Sequence, residues 1–356
     1  MPWSDTRILD LFHIDVPILL APMAGASGPE LAIAVAEAGG LGSLPCALLS
    51  PDQAHAELAT YRQRTSRPIN LNFFCHQPPA IDAERDAAWR NRLEPYYLEL
   101  GLDPHAPLPA ATRMPFDAAM CDVVVEQKPE VVSFHFGLPA AELLARVKGS
   151  GAKILSTATT VEEARWLEDR GCDAIIAQGY EAGGHRGMFL TQDLLSQAGT
   201  FSLVPQVADA VKVPVIAAGG IADARGIAAA FALGASAVQI GTAYLFCPEA
   251  TISPVHRRAL ESASEDRTAL TNVFSGRPAR AIVNRVMRET GPISSLAPPF
   301  PLAGAALAPL RRNSEVAGSE DFAQMWSGQS ARLGRAMPAR ELTMRLAAEA
   351  LARVSK

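Results

Sequence analysis

The chain has 356 residues, enough for two domains or for one barrel of about 250 residues with additions. Apolar residues make up 49% and aromatics only 6%, so a large core is available and alanine carries much of it. A formal net charge of −5 leaves no basic footprint for nucleic acid, and no apolar run reaches the roughly 18 residues that cross a bilayer.

The N-terminal MPWSDTRILDLF lacks the charged-then-apolar order of a secretory signal. The five cysteines, Cys46, Cys75, Cys121, Cys172 and Cys247, are odd in number, scattered, and without a C-x-x-C. They read as small buried hydrophobes in a reducing compartment. The expectation is a soluble cytoplasmic protein with no metal, nucleic-acid or membrane partner.

In chain order, Val16–Ala21 reads as a buried strand. Ser27 and Glu30 have capping-box spacing before a helix that runs to Ala38 and stops at Gly39-Gly40. Leu41–Leu44 is a second strand, Ser50 with Gln53 caps a helix to Arg64, and Pro68–Phe74 is a third strand. Regularity breaks from His76 to Ala119, where prolines crowd around one helical piece at 83–100. So long a connection suggests a segment that covers a site.

Alternation resumes with a helix over 116–127, a strand over 130–134, a helix stopped by Gly149, and a strand over 153–156. Thr160 and Glu163 again have capping-box spacing. The sixth strand, Ala174–Ala177, leads into Gln178 and a glycine loop that carries His185. A helical face around 204–211, a seventh strand over 214–217, Gly219-Gly220, a helix from Asp223 to Leu233 and an eighth strand over 237–240 complete the series.

Eight buried strands alternating with helices predict a (β/α)8 TIM barrel, with a doubly wound open sheet as the alternative. The absence of G-x-G-x-x-G after the first strand weakens that alternative. The expected division is a barrel over 1–75 and 120–251 and an inserted helical and loop segment, 76–119, over the site. A helical extension, 252–356, is expected to complete the substrate pocket and the barrel packing.

In such barrels the site lies at the C-terminal strand ends. Those ends hold Ala21 and Met23, Asn72, His135, Gln178 with Gly183 and His185, Gly219-Gly220, and Gln239, Ile240, Gly241 and Thr242. Glycines after strand seven and Gly-Thr after strand eight suit a phosphate held by backbone N–H groups, although two tight turns read the same way. The amides suit the polar edge of a ring or a carbonyl, or simple strand-end caps. His185, on a loop taken as mobile, is placed to accept a proton or to donate a hydrogen bond. His135 reads equally as a substrate contact and as a satisfied buried histidine. Ser275–Arg280 is a basic turn that meets an anion or packs against the barrel.

The chain resembles the nitronate monooxygenase family. The resemblance rests on Ala21-Pro22-Met23-Ala24-Gly25, Asn72, Ser133–Gly137, Gln178 through Gly187, Ala217–Ile221, Gln239–Ala243, Ser275-Gly276-Arg277, Phe300-Pro301-Leu302 and Trp326–Gln329. It covers nearly the whole chain. It implies a barrel that binds FMN and oxidises nitronates, and in some members neutral nitroalkanes, with dioxygen to a carbonyl compound and nitrite. By that resemblance FMN meets Ala21, Met23, Asn72, Gln178, Gly183, Gly219, Gly220, Gln239, Ile240, Gly241 and Thr242. His185 is the expected catalytic residue, and His135 and Phe300 the expected substrate contacts. An FMN-dependent NAD(P)H reductase on the same barrel, similar to enoyl-acyl-carrier-protein or quinone reductases, is the alternative. The oligomeric state is left open. One departure stands out: some members present tyrosines and a lysine after the barrel, whereas Ile293–Pro309 here has neither. That departure predicts a weak hold on anions and a less polar substrate.

Overall fold

The computed structural model describes residues 3–109, 113–262 and 267–354; residues 1–2, 110–112 of the inserted segment, and 263–266 and 355–356 of the tail lie outside it. The strands are β1 (Ile18–Leu20), β2 (Gly42–Pro45), β3 (Ile69–Phe74), β4 (Val131–His135), β5 (Lys153–Ala158), β6 (Ala174–Gln178), β7 (Gly184–His185), β8 (Val215–Ala218), β9 (Ala237–Ile240), β10 (Thr268–Thr271) and β11 (Ala279–Ile282). Eight of them pair in parallel in the order β1-β9-β8-β6-β5-β4-β3-β2, and a parallel bridge between Leu19 and Leu41 joins the two ends. The result is the barrel, with β8 and β9 as its seventh and eighth strands.

The pleat sorts each strand into an outer and an inner face. Val132 and Phe134 of β4, or Val238 and Ile240 of β9, pack outward against the helices. Leu19, Val131, Leu155, Ile176 and Ile216 fill the lower interior together with Ile8 and Phe12 of the helix Arg7–Phe12. That helix lies where the strands begin, so it plugs the N-terminal mouth. The C-terminal mouth is the end left for a ligand.

Several local signals form as the residue types require. Ser50 accepts from the Gln53 amide, and the Gln53 side chain returns to Ser50. Asp223 accepts from the amides of Arg225 and Gly226, and Gly234 follows in the left-handed region with φ 95°. The Ser27–Glu30 capping box does not form. Gly28 is the N-cap, and the Ser27 hydroxyl bonds the backbone of Met23 instead. Thr160 caps its helix, but the Glu163 carboxylate turns to the Thr159 amide and hydroxyl and to the amides of Phe189 and Leu190. The helix expected to stop at Gly149 includes it, and the left-handed residue is Gly151, φ 93°.

The last helix, Ala339–Val354, packs against Pro29–Glu37 and Ala224–Ala232. It fills the place of an eighth barrel helix, so the segment between β9 and residue 338 projects from the rim. The helix Ala83–Glu99 of the inserted segment shares an apolar core with that projecting part. Trp89 and Leu93 pack with Phe274, Leu307 and Phe322, and the Trp89 indole donates to Ala303 O at 3.1 Å. Among the described residues no helix is long and apolar enough to cross a membrane, and no three His, Cys, Asp or Glu side chains cluster to hold a metal.

Candidate functional site

A cavity of about 570 Å³ opens at the C-terminal ends of the strands. The inward faces of seven of the eight barrel strands supply lining side chains: Ala21 after β1, Asn72 and Phe74 on β3, His135 on β4, Thr157 on β5, Gln178 on β6, Ala218 on β8 and Gln239 on β9. Met23, Gly183, His185, Gly219, Gly220, Gly241 and Thr242 line it as well. Two expected residues do not. Ile240 follows Gln239 by one residue, so the pleat turns it outward into the helical layer. Phe300 is buried with Ala47, Phe74 and Phe136 behind the cavity wall, its ring 5.3 Å from that of His185.

His185 is held firmly. β7 pairs with β11 in a small antiparallel sheet, with His185 opposite Ala279. The expected mobile loop is therefore a strand, because its partner lies nearly a hundred residues further along the chain. The Gln178 amide donates to His185 O at 3.0 Å and accepts from Gly187 N at 2.8 Å. Gln178 thus braces the histidine segment while lining the cavity.

His135 braces the same point. Its Nε2 lies 3.2 Å from His185 O and its Nδ1 3.1 Å from Thr157 Oγ1. A carbonyl only accepts, so Nε2 carries the proton and Nδ1 accepts from the threonine. Burial pushes this imidazole down to about 3, so it stays neutral. His135 is the satisfied histidine, although one edge borders the cavity.

The ring of His185 is fixed through Nε2, 2.9 Å from Ser275 Oγ. Ser275 directs its own proton to Arg277 O at 3.3 Å, so its oxygen accepts from Nε2–H. Among the described residues Nδ1 has no partner, and it is not sealed off from the cavity that His185 lines. The rings of Phe74, Phe136, Phe300 and Trp326 surround it at centroid distances of 5.3–6.1 Å. Burial first, then the Arg113 guanidinium, hold the imidazole well below its ordinary range. The group facing the cavity is a neutral imidazole with its Nδ1 lone pair available.

The basic turn is structural. Arg277 donates to Met188 O with its guanidinium 4.0 Å over the Phe136 ring, and Arg280 donates to Tyr180 O at 2.9 Å. Neither lines the cavity. Positive charge comes instead from Arg113 of the inserted segment and Arg311 of the helix Gly304–Val316, both of which do. The expectation of a site poor in anion-binding groups is corrected by these two. Neither position carried a periodic or motif signal, since each reaches the rim only through tertiary packing.

The opposite side of the cavity is built from small residues. Gly219 and Gly220 turn with φ 107° and 72°, a region that favours glycine. A Cβ on Gly183 would fall 2.5 Å from Gly328 N, so the tail lies directly on the glycine loop. Gly328 N donates to Thr242 Oγ1 at 2.9 Å, and Ser330 Oγ donates to Gly220 O at 2.7 Å. The Asn72 amide donates to Ser133 Oγ at 2.9 Å. The Gln239 side-chain oxygen is buried with no partner, which leaves a polar acceptor unsatisfied at the cavity wall.

The family model for nitronate monooxygenase matches residues 5–349. A nitronate monooxygenase of Paraburkholderia phytofirmans is 43% identical over 96% of this chain and 94% of that protein. One of Pseudomonas aeruginosa is 41% identical over 96% of this chain and 98% of that protein. Among solved structures, a nitroalkane oxidase from Streptomyces ansochromogenes superposes with TM-score 0.89 and 39% identity, over 98% of this chain and 99% of that one. FabK from Thermotoga maritima superposes with TM-score 0.75 and 31% identity, over 99% and 98%. With the cavity at the barrel's C-terminal mouth, these matches along nearly the full length show that the chain belongs to the nitronate monooxygenase family.

Proposed function

We propose that this protein oxidises alkyl nitronates, and more slowly neutral nitroalkanes, with dioxygen to a carbonyl compound and nitrite, using FMN held in the cavity. The observation that carries the reading is the neutral imidazole of His185, locked at Nε2 by Ser275 and facing a cavity whose other side is nearly bare backbone.

The residues present fit a flavin. The stretch Ala21, Gly183, Ala218–Gly220 and Gly241 lets a flat ring approach main chain, and Gln239 offers an unpaired acceptor for a ring N–H. Thr242, Gly220 and Ser330 line the part suited to the phosphate. When bound, FMN supplies the two-electron redox chemistry and the reaction with dioxygen.

The protein's own task is then to hold the substrate carbon and manage its proton. Nδ1 of His185 accepts the α-proton of a neutral nitroalkane or lies beside the oxygens of a nitronate. Burial and Arg113 disfavour an imidazolium at this position, so proton removal from a neutral substrate is costly. A nitronate has already lost that proton, and the electropositive surroundings favour its negative charge. Phe74 and Trp326 flank this end of the cavity and limit access of water.

The test is an anaerobic titration of the purified yellow protein with propyl-1-nitronate and, separately, with NADPH. The reading expects FMN to be released on denaturation, and the nitronate to bleach it within the mixing time. Bleaching by NADPH alone would transfer the protein to the alternative of an FMN-dependent NAD(P)H reductase.

A further inference from the structure

The cavity wall contains polar donors that the fold does not satisfy. Arg113 lines the cavity as a half-buried side chain, and among the described residues none of the ion pairs includes it. Burial lowers it to about 10, which still leaves it charged at neutral pH. Arg311 donates to Gln324 Oε1 at 3.1 Å. That bond fixes the amide's orientation and leaves Gln324 Nε2 buried without an acceptor. Glu315 is the single carboxylate among the described lining residues, four positions after Arg311 on the same helix.

A buried amide N–H without an acceptor is destabilising unless a ligand completes it, and a guanidinium with no carboxylate partner among the described residues stands on the same cavity wall. Their combined chemistry is that of a seat for a planar oxyanion, since a guanidinium fork matches two oxygens at once. Arg113, Gln324 and His185 line the same cavity, and the Arg113 charge is felt at the imidazole.

We propose that Arg113, delivered by the inserted segment, and the Gln324 amide that Arg311 orients form a seat for the anionic oxygens of the substrate beside His185. This rests on the nitronate reading above and deepens it. The inserted segment then sets the preference for the anionic over the neutral form of one substrate. A nitronate gains the charge-assisted bonds to Arg113, whereas the nitro group of the neutral form carries no net charge for them.

The experiment compares wild type, Arg113→Gln and Arg113→Lys as flavin-loaded enzymes. Two quantities are read: the ratio of kcat/KM for ethylnitronate over nitroethane, and the Kd for inorganic nitrate by calorimetry. Arg113→Gln is expected to lower the ratio at least fivefold and to weaken nitrate binding at least fivefold, with Arg113→Lys in between. A smaller change in either, an equal loss on both substrates, or no nitrate binding by wild type overturns the proposal. If wild type oxidises no nitronate but binds nitrate through Arg113, the seat stands and the nitronate reading falls.

Discussion

His185 Nε2 and Ser275 Oγ lie 2.9 Å apart across 90 residues of sequence. The bond is possible because β11 carries the chain just beyond Ser275 back along β7, so the two residues meet at one end of the small sheet. It fixes both the ring's orientation and its tautomer, which leaves Nδ1 for the substrate. Ser275→Ala removes a bond worth about 1 kcal/mol and frees the ring to rotate. The expected result is a five- to tenfold loss of kcat with an altered pH profile and an unchanged flavin-to-protein absorbance ratio. Loss of flavin with normal turnover per bound flavin would make Ser275 a cofactor residue.

Gln178 answers to the same geometry. Its amide is shared between His185 O and Gly187 N; in Gln178→Leu the Gly187 amide is left unpaired, while His185 O keeps the bond from His135 Nε2. With one buried donor left unsatisfied, the variant is expected to lose about 1–3 kcal/mol of stability in urea titration. It should lose turnover as well, because the histidine segment is no longer braced. Normal stability would show that the loop holds itself.

Gln239 gives effects of opposite sign. Its unpaired buried oxygen costs the flavin-free protein about 1–3 kcal/mol, and a ring N–H would repair this. Gln239→Leu is expected to raise the melting temperature of the flavin-free protein and to weaken FMN binding about tenfold. Fluorescence titration with FMN and calorimetric melting check the pair. Unchanged FMN affinity would remove Gln239 from the cofactor site.

Three buried histidines make stability fall with acid. Burial pushes His135 down to about 3 and His76 and His256 down to about 4, against an ordinary value of 6.5. Each depressed imidazole binds its proton in the unfolded chain first. Stability is therefore complete above pH 6.5 and is lost as pH falls toward 4 and 3. The slope is up to about 1.4 kcal/mol per pH unit for each such group. Urea titrations at pH 7 and pH 5 should differ by several kcal/mol, and His135→Gln should reduce the difference. Equal stability at the two pH values would contradict the burial of these rings.

The barrel was legible because strands buried on both faces leave continuous apolar runs such as Ala174–Ala177, and because glycines punctuate the rim. Ala21, Asn72, His135, Gln178 and Gln239 of the inward set followed from the same reading, but Phe74, Thr157 and Ala218 did not, and Ile240 is turned outward because the pleat decides and a motif spanning consecutive residues does not. Phe300 came from the resemblance alone, and packing places it behind the wall. His185 was found by residue type, but its strand was not, since two residues pairing with Ala279 and Arg280 carry no periodic signal. Arg113, Arg311 and Gln324 converge only because the inserted segment and the projecting tail share a core, a long-range relation that no local spacing encodes.

The central claim is that a neutral His185 faces the reacting carbon of a substrate oxidised by bound flavin. Anaerobic stopped-flow mixing of nitroethane with wild type and His185→Asn, each loaded with flavin, tests it most directly. The claim predicts measurable bleaching of the flavin absorbance in wild type, slower than with a nitronate, and bleaching at least about a hundredfold slower again in the variant at equal flavin content, of the order typical for loss of a general base. Equal rates in the two proteins would contradict it.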